Sequence, residues 1–257
     1  MNTARFTAGE PATEITRVTA THWHALDDGR VTGRGEASTR PDGRVFLSVD
    51  AWHRSVFDQL AAAMLAALPH PLHTVVDGTD HELLNCWQDA GLTVRRREWE
   101  YLVPTAVEPV DPPPGVTIGP AEEGPLRALD RIVRAEVEKT VGWAEMPAEV
   151  LPWQTGDTVV DPRKYAVAAE GDEYAGLIRV VRASRLPRIG LVAVRADRQR
   201  RGIARALLTH SLNMLHHKGI TTAYAEVNET NEAATALFES VGAQRADSIV
   251  ELVRHGE

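Results

Sequence analysis

Between Leu191 and Leu208 the sequence reads LVAVRADRQRRGIARALL. A short apolar run, Leu191 to Val194, leads into a polar loop, Arg195 to Arg201. Gly202 follows, then an alanine- and leucine-rich run that continues to Leu215. This order predicts a buried strand, a tight turn and a helix. The first turn of a helix offers main-chain N–H groups with no intrahelical acceptor, and the positive end of the helix dipole. A turn of this kind is a ready anion site, above all for phosphate. Gly202 has no Cβ and lets a phosphate approach the backbone. Arg200, Arg201 and Arg205 add positive charge, and a guanidinium can grip phosphate oxygens with two parallel bonds. The plainer reading of the same arginines is a solvated helix start.

Resemblance to a known family enters on these residues. Gln199-Arg200-Arg201-Gly202-Ile203-Ala204 resembles the Q/R-x-x-G-x-G/A signature of the GNAT superfamily of acyl-CoA N-acyltransferases. Downstream, Glu226-Val227-Asn228 ends an apolar run, followed by Asn231, Ala234, Ala236, Leu237, Phe238, Gly242 and Ala243. That block resembles the family's E-V-x-x-x-N-x-x-A-x-x-L-Y/F-x-x-x-G-F/A pattern, and the resemblance covers roughly Gly115 to Arg254. It implies acetyl-CoA as acyl donor and no metal. It places Arg200, Arg201, Gly202, Ile203, Ala204 and Arg205 at the diphosphate. It sets the main chain of Val192, Ala193 and Val194 against the pantetheine and the acetyl carbonyl, with Asn231 near the pantetheine and Phe238 also at the cofactor.

An ammonium with a pKa near ~10 cannot attack a thioester, so a base must take its proton. Glu226 resembles the glutamate used as base in the ribosomal-protein alanine acetyltransferases, at the same spacing from the asparagine. An unpaired carboxylate in an apolar strand is costly; the alternative is a strand-end glutamate facing solvent. The family often reprotonates the departing thiolate with a tyrosine where this chain has Phe238, and a phenyl ring cannot donate a proton. Tyr224 shares a strand face with Glu226 and is a substitute donor, or else a packed core tyrosine. Trp143, Glu145 and Trp153 fall in the segment that covers the acceptor in the family; the two tryptophans line a pocket or staple loops to the sheet.

The elements that must position these groups read as strand, strand, strand, helix, strand, helix, strand, given twice. The first pass takes in Val45–Val49, a helix over Ser55–Leu68, Leu72–Val76, a helix over Asp80–Ala90, and Thr93–Val103. The second takes in Val116–Ile118, a long helix over Glu122–Thr140, a helical piece at Pro147–Pro152, and strands over Tyr165–Ala169, Ala175–Arg182 and Arg188–Val194. It ends with a helix over Gly202–His217, Thr221–Val227, a helix over Glu232–Val241 and Ile249–Arg254. Trp99-Glu100-Tyr101-Leu102 aligns with Val250-Glu251-Leu252-Val253, so an internal repeat is expected. The fold class expected is α/β, an α+β mixed sheet: two GNAT-like domains in tandem, each a mostly antiparallel sheet flanked by helices. The boundaries expected are 1–108 for a degenerate first domain, a proline-rich linker over 109–115, and 116–257 for the acetyltransferase domain. The first copy reads His53-Arg54-Ser55-Val56-Phe57-Asp58-Gln59 where the second reads RQRRGIAR. It has neither the glycine nor the basic cluster, and it is expected to bind no coenzyme A.

The chain has 257 residues, 43% hydrophobic and 25% charged, enough for a sizeable core. A net charge of -8 argues against general nucleic-acid binding. The single cysteine, Cys86, excludes an intrachain disulfide and fits a cytoplasmic protein. No apolar run approaches the ~18 residues of a membrane span, and the first residues have no apolar segment typical of a leader. The partners expected are acetyl-CoA and an amine of unidentified structure, with no nucleic acid and no membrane, in a monomer or homodimer. The expected function is N-acetyl transfer to a primary amine of a small molecule or peptide. A non-catalytic acyl-CoA sensor is the alternative, motivated by Phe238.

Overall fold

The computed structural model describes residues 13–40, 42–140, 160–182 and 186–256. By contacts the chain forms two compact units: Met1–Val76 with Asp80–Arg95 and Glu251–Glu257, and Asp77–Thr79 with Arg96–Val250. The first holds strands β1 (Glu14–Arg17), β2 (His22–Asp27), β3 (Arg30–Thr39), β4 (Val45–Ala51) and β5 (Leu72–Asp77), with helices α1 (Arg54–Ala67) and α2 (His81–Asp89). Strands β1 to β4 pair as successive antiparallel neighbours, and β4 meets β5 in parallel. Glycine in β3 has a steric reason. A Cβ on Gly35 would lie 2.4 Å from Met64 Sδ, and one on Gly33 2.7 Å from Val56 Cγ1. The bare backbone lets α1 seat directly on the strand.

Strand β6 (Thr93–Pro104) leaves the first unit and enters the second. It is followed by β7 (Val116–Pro120), α3 (Glu123–Thr140), β8 (Tyr165–Glu170), β9 (Glu173–Arg182), β10 (Pro187–Val194), α4 (Ile203–His216), β11 (Thr222–Asn228), α5 (Glu232–Glu239) and β12 (Gln244–Arg254). In the second unit the strand order is β6-β11-β10-β9-β8-β7. Two cores form, one on each face of these strands. Alternation along β11 sends Ala223, Ala225 and Val227 into one core, with Ile203, Leu207, Leu208 and Leu212 of α4 and Phe238 of α5. Leu126, Leu129 and Val133, at helical spacing on α3, pack with Val167 and Leu177 in the other. Each fully buried aliphatic side chain contributes roughly 1.5–3 kcal/mol.

The contact units do not follow the sequence repeat. In sequence β6 closes the first repeat, but its residues Glu98 to Pro104 pair with β11 in the second unit. The sequence expectation of 1–108 and 116–257 therefore departs from the contacts at both ends. Residues 96–108 belong with the second unit and Glu251–Glu257 with the first. Alternation reveals a strand and its buried face but not its hydrogen-bonded partner. The helical piece expected at Pro147–Pro152, and Trp143, Glu145 and Trp153, lie outside the described residues. Among the described residues no helix is long and apolar enough to cross a membrane.

Candidate active site

The second unit opens where β10 and β11 part. They pair in parallel at only two positions, Arg188 with Tyr224 and Ile189 with Ala225. Beyond them a register shift between Ile189 and Leu191 bends β10, which stays paired to β9 through Val194. A bulge of this kind re-aims a strand. The Arg195 N–H donates to the Ala175 carbonyl at 2.9 Å. Antiparallel alternation then turns the N–H and C=O of Val192 and Val194 toward the open edge and those of Ala193 toward β9. In keeping with this, a Cβ on Gly176 of β9 would lie 3.1 Å from the Ala193 carbonyl oxygen. Of the three residues expected at the pantetheine, Ala193 thus has its main-chain groups committed to β9. The Gln199 side-chain amide donates to the Val194 carbonyl at 3.1 Å, which gives the first residue of the loop motif a structural task.

The loop from Arg195 to Arg201 is pinned by acids. Glu136 of α3 accepts from the Ala196 N–H at 3.0 Å. Glu170, at the end of β8, pairs with Arg198 and with Arg201, each at 2.7 Å. The hydrogen bond from Arg201 holds the Glu170 carboxyl below the usual carboxylate range. Gly202 caps α4 with φ +87°, and Arg200 also takes a left-handed φ of 60°. A non-glycine residue held there is strained, and such strain collects at functional sites. The first bond into the helix runs from the Ala206 N–H to the Gly202 carbonyl, at 3.0 Å. Among the described residues, none of the main-chain N–H groups from Arg200 to Arg205 donates to a protein acceptor. The turn is therefore an open cradle with the helix dipole behind it. Ile203 is buried in the core and anchors it, while Arg200, Arg201 and Arg205 are exposed.

Glu226 and Tyr224 stand half-buried on the face of β11 opposite Ala223, Ala225 and Val227. Glu226 is ion-paired with Arg188 of β10. Half-buried and ion-paired, Glu226 is not the solvent-facing strand-end glutamate of the alternative reading. A guanidinium accounts for the carboxylate in this apolar strand. Asn231 caps α5, its side-chain oxygen accepting from the Ala234 N–H at 3.0 Å. Phe238 is buried, with its ring centroid 6.1 Å from that of Tyr101 on β6. It fills the core beneath α5.

Residues 129–243 match the family model for the acetyltransferase (GNAT) family. This segment is similar to the GNAT acetyltransferases. Over 55 residues the chain is 46% identical to the ribosomal protein bS18-alanine N-acetyltransferase of Escherichia coli K12, a stretch covering 21% of this chain and 37% of that protein. The Salmonella typhimurium counterpart matches over the same shares. The chain thus spans little more than a third of the length of the curated relatives it matches. Among solved structures, a GCN5-related N-acetyltransferase from Sphaerobacter thermophilus superimposes with a TM-score of 0.66 at 17% identity, over 93% of this chain and 82% of that one. A tandem GNAT protein from the clavulanic acid biosynthesis pathway gives 0.61 at 15% identity, over 97% and 85%. At these identities the likeness establishes the GNAT fold.

In the first unit, strands β4 and β5 also pair at two positions only, Val45 with Leu72 and Phe46 with His73. Here the Thr74 hydroxyl donates to the Leu47 carbonyl at 2.9 Å. Phe46 stacks on His73 with centroids 5.1 Å apart. Buried Glu251 gathers His73 at 3.1 Å, Arg95 at 2.8 Å and Arg44 at 3.3 Å. Sequence reasoning missed this network and also missed Glu100, the β6 residue opposite Glu226. The one signal available was the alignment of Glu100 with Glu251 in the repeat. Among the described residues no group of three or more His, Cys, Asp or Glu could hold a metal ion.

Proposed function

We propose that this protein transfers an acetyl group from acetyl-CoA to a primary amine in a ternary complex at the β10–β11 opening of the second unit. The observation that carries this reading is the continuity of two unpaired surfaces. The open edge of β10 runs into the free amides of Arg200 to Arg205. The amides and the arginines take the diphosphate. The main-chain groups of Val192 and the N–H of Val194 take the pantetheine and polarise the thioester carbonyl, a donor role worth ~3 kcal/mol in oxyanion holes. The acceptor approaches over the β11 face that carries Tyr224 and Glu226. A peptide N-terminus is one such amine, by analogy with the alanine acetyltransferases of partial similarity. Tyr224 is the proton donor to the leaving thiolate, which with a thiol pKa near ~8.5 is a fair leaving group. The first unit, which has neither the glycine nor the basic cluster at the start of α1, binds no coenzyme A.

The test is a melting curve with and without acetyl-CoA, followed by thiol release with a panel of primary amines. A rise in melting temperature at saturating acetyl-CoA, with amine-dependent thiol release, is expected. Absence of the rise overturns the reading. A rise without transfer to any amine favours the second reading, an acyl-CoA sensor, which the placement of Phe238 in the core supports.

A further inference from the structure

The face of β6 and β11 that carries Glu226 holds another carboxylate. Glu100 is the β6 residue opposite Glu226 in the antiparallel register. The two side chains therefore leave the same face, with Cβ atoms about 5 Å apart. Glu98 and Leu102 flank Glu100 on β6, opposite Asn228 and Tyr224. All of these residues lie in the second unit.

Their surroundings differ in kind. Glu226 is tied to Arg188, and Glu98 to Arg96. Glu100 is half-buried, and among the described residues no hydrogen bond or ion pair ends on its carboxylate. Asp247 of β12 and Asp77, at the end of β5, bear on it from two other elements. Asp77 is fixed as an anion by the Thr79 hydroxyl at 2.6 Å and the Thr79 N–H at 2.8 Å. Burial pushes the Glu100 carboxyl up, and the charges of Asp247 and Asp77 push it further. Protonating Glu226 would leave the largely buried Arg188 facing a neutral group, at a cost. Protonating Glu100 relieves repulsion from two carboxylates. The carboxylate that gains most by accepting a proton is the unpaired one.

We propose that Glu100 takes the proton from the acceptor ammonium, while Glu226, fixed by Arg188, holds that ammonium beside it. The proposal rests on the acetyl-transfer reading above. The ammonium N–H bond breaks, its electron pair stays on nitrogen, and the proton passes to the Glu100 carboxylate. The amine attacks the thioester carbon, forming C–N and moving the C=O π pair onto oxygen. Collapse breaks C–S. The thiolate leaves with the bonding pair and takes the phenol proton of Tyr224, which the proton shed by the acylated nitrogen replaces. Glu100 returns its proton to solvent.

The test uses the full chain, its E100Q and E226Q variants, acetyl-CoA as donor and alaninamide as amine probe. Acetyl-CoA binding is read from the melting shift and transfer from thiol release between pH 5.5 and 9. Both variants should keep the shift. E100Q should lose about 100-fold in kcat and its dependence on the lower ionisation, with KM for alaninamide nearly unchanged. E226Q should raise KM about tenfold and change kcat little. Carbon-13 NMR of the glutamate carboxyls supplies a readout that needs no turnover: the signal missing in E100Q should titrate above the ordinary glutamate range in the wild-type protein. Full kcat in E100Q, or a Glu100 signal in the ordinary range, overturns the assignment while the retained melting shift leaves acetyl-CoA binding standing. Loss of the melting shift in the wild-type protein overturns both.

Discussion

Arg188 of β10 donates to Glu226 of β11 beside the two positions at which these strands still pair. The ion pair ties the strands together just where they begin to part. The side chains are 18% and 15% exposed, so each carries a desolvation cost that the other offsets. Replacing Arg188 by Met should leave Glu226 without this cation and destabilise the protein by about 2–4 kcal/mol. The double variant R188M/E226Q should recover more than half of that loss. Urea denaturation at neutral pH measures both, and a double variant no better than R188M would show that the charge is not the cause.

The two left-handed positions in the loop make opposite predictions for stability and the same one for binding. A Cβ at Gly202 would meet nothing within 4 Å, so G202A should cost only the conformational penalty, about 1–2 kcal/mol. R200G should instead stabilise the protein by up to about 1 kcal/mol, because it relieves a positive φ. Both should weaken acetyl-CoA binding several-fold, the first by crowding the amide cradle and the second by removing a cation. Thermal unfolding and titration calorimetry on the same samples would separate the two effects.

Glu170 is ion-paired with Arg201, one of the arginines proposed to take the diphosphate. E170Q removes that competitor and a negative charge near the anion. Acetyl-CoA should bind about 2- to 5-fold more tightly to E170Q, the scale of one exposed ion pair. The gain should shrink between 50 mM and 500 mM salt as screening grows. Unchanged affinity at low salt would exclude Arg201 from the phosphate site.

Glu251 sets part of the acid limb of the stability curve. Burial pushes its carboxyl up, but the hydrogen bond from His73 and the guanidiniums of Arg95 and Arg44 outweigh this and hold it below its ordinary value of 4.5. Between its folded value and 4.5 the native state binds fewer protons than the unfolded chain. Stability from this group is therefore complete above about pH 4.5 and is lost as pH falls through the folded value. E251Q should flatten that acid limb. It should also destabilise the protein by about 3–5 kcal/mol at neutral pH, because Arg95 and Arg44 lose a buried partner. Chemical denaturation at a series of pH values measures both effects.

Local pattern carried the sequence reading a long way. The strand, loop and helix from Leu191 to His216 stand where residue order puts them, because apolar runs, a left-handed glycine and helical spacing are each written within a few residues. Asn231 was recognised in its motif, but its capping bond to Ala234 required seeing the helix start. What stayed hidden depends on pairing across long separations. Arg188 and Glu226 are 38 residues apart, and nothing in either segment names the other. Glu100 reads as one polar position in an alternating strand until the register sets it opposite Glu226. Glu251, the shared partner of His73, Arg95 and Arg44, lies more than 150 residues further along the sequence than any of them.

The exchange of strand ends has a consequence for biosynthesis. Glu251 to Arg254 lie in the first unit, although in sequence they follow the strands and helices of the second. The first unit must wait, with its His73 and Arg95 lacking their acidic counterpart, until the second has been synthesised. The chain therefore matures as one cooperative event after synthesis rather than as two successive ones, and cutting the gene between the repeats would yield two fragments that each lack an interior strand segment.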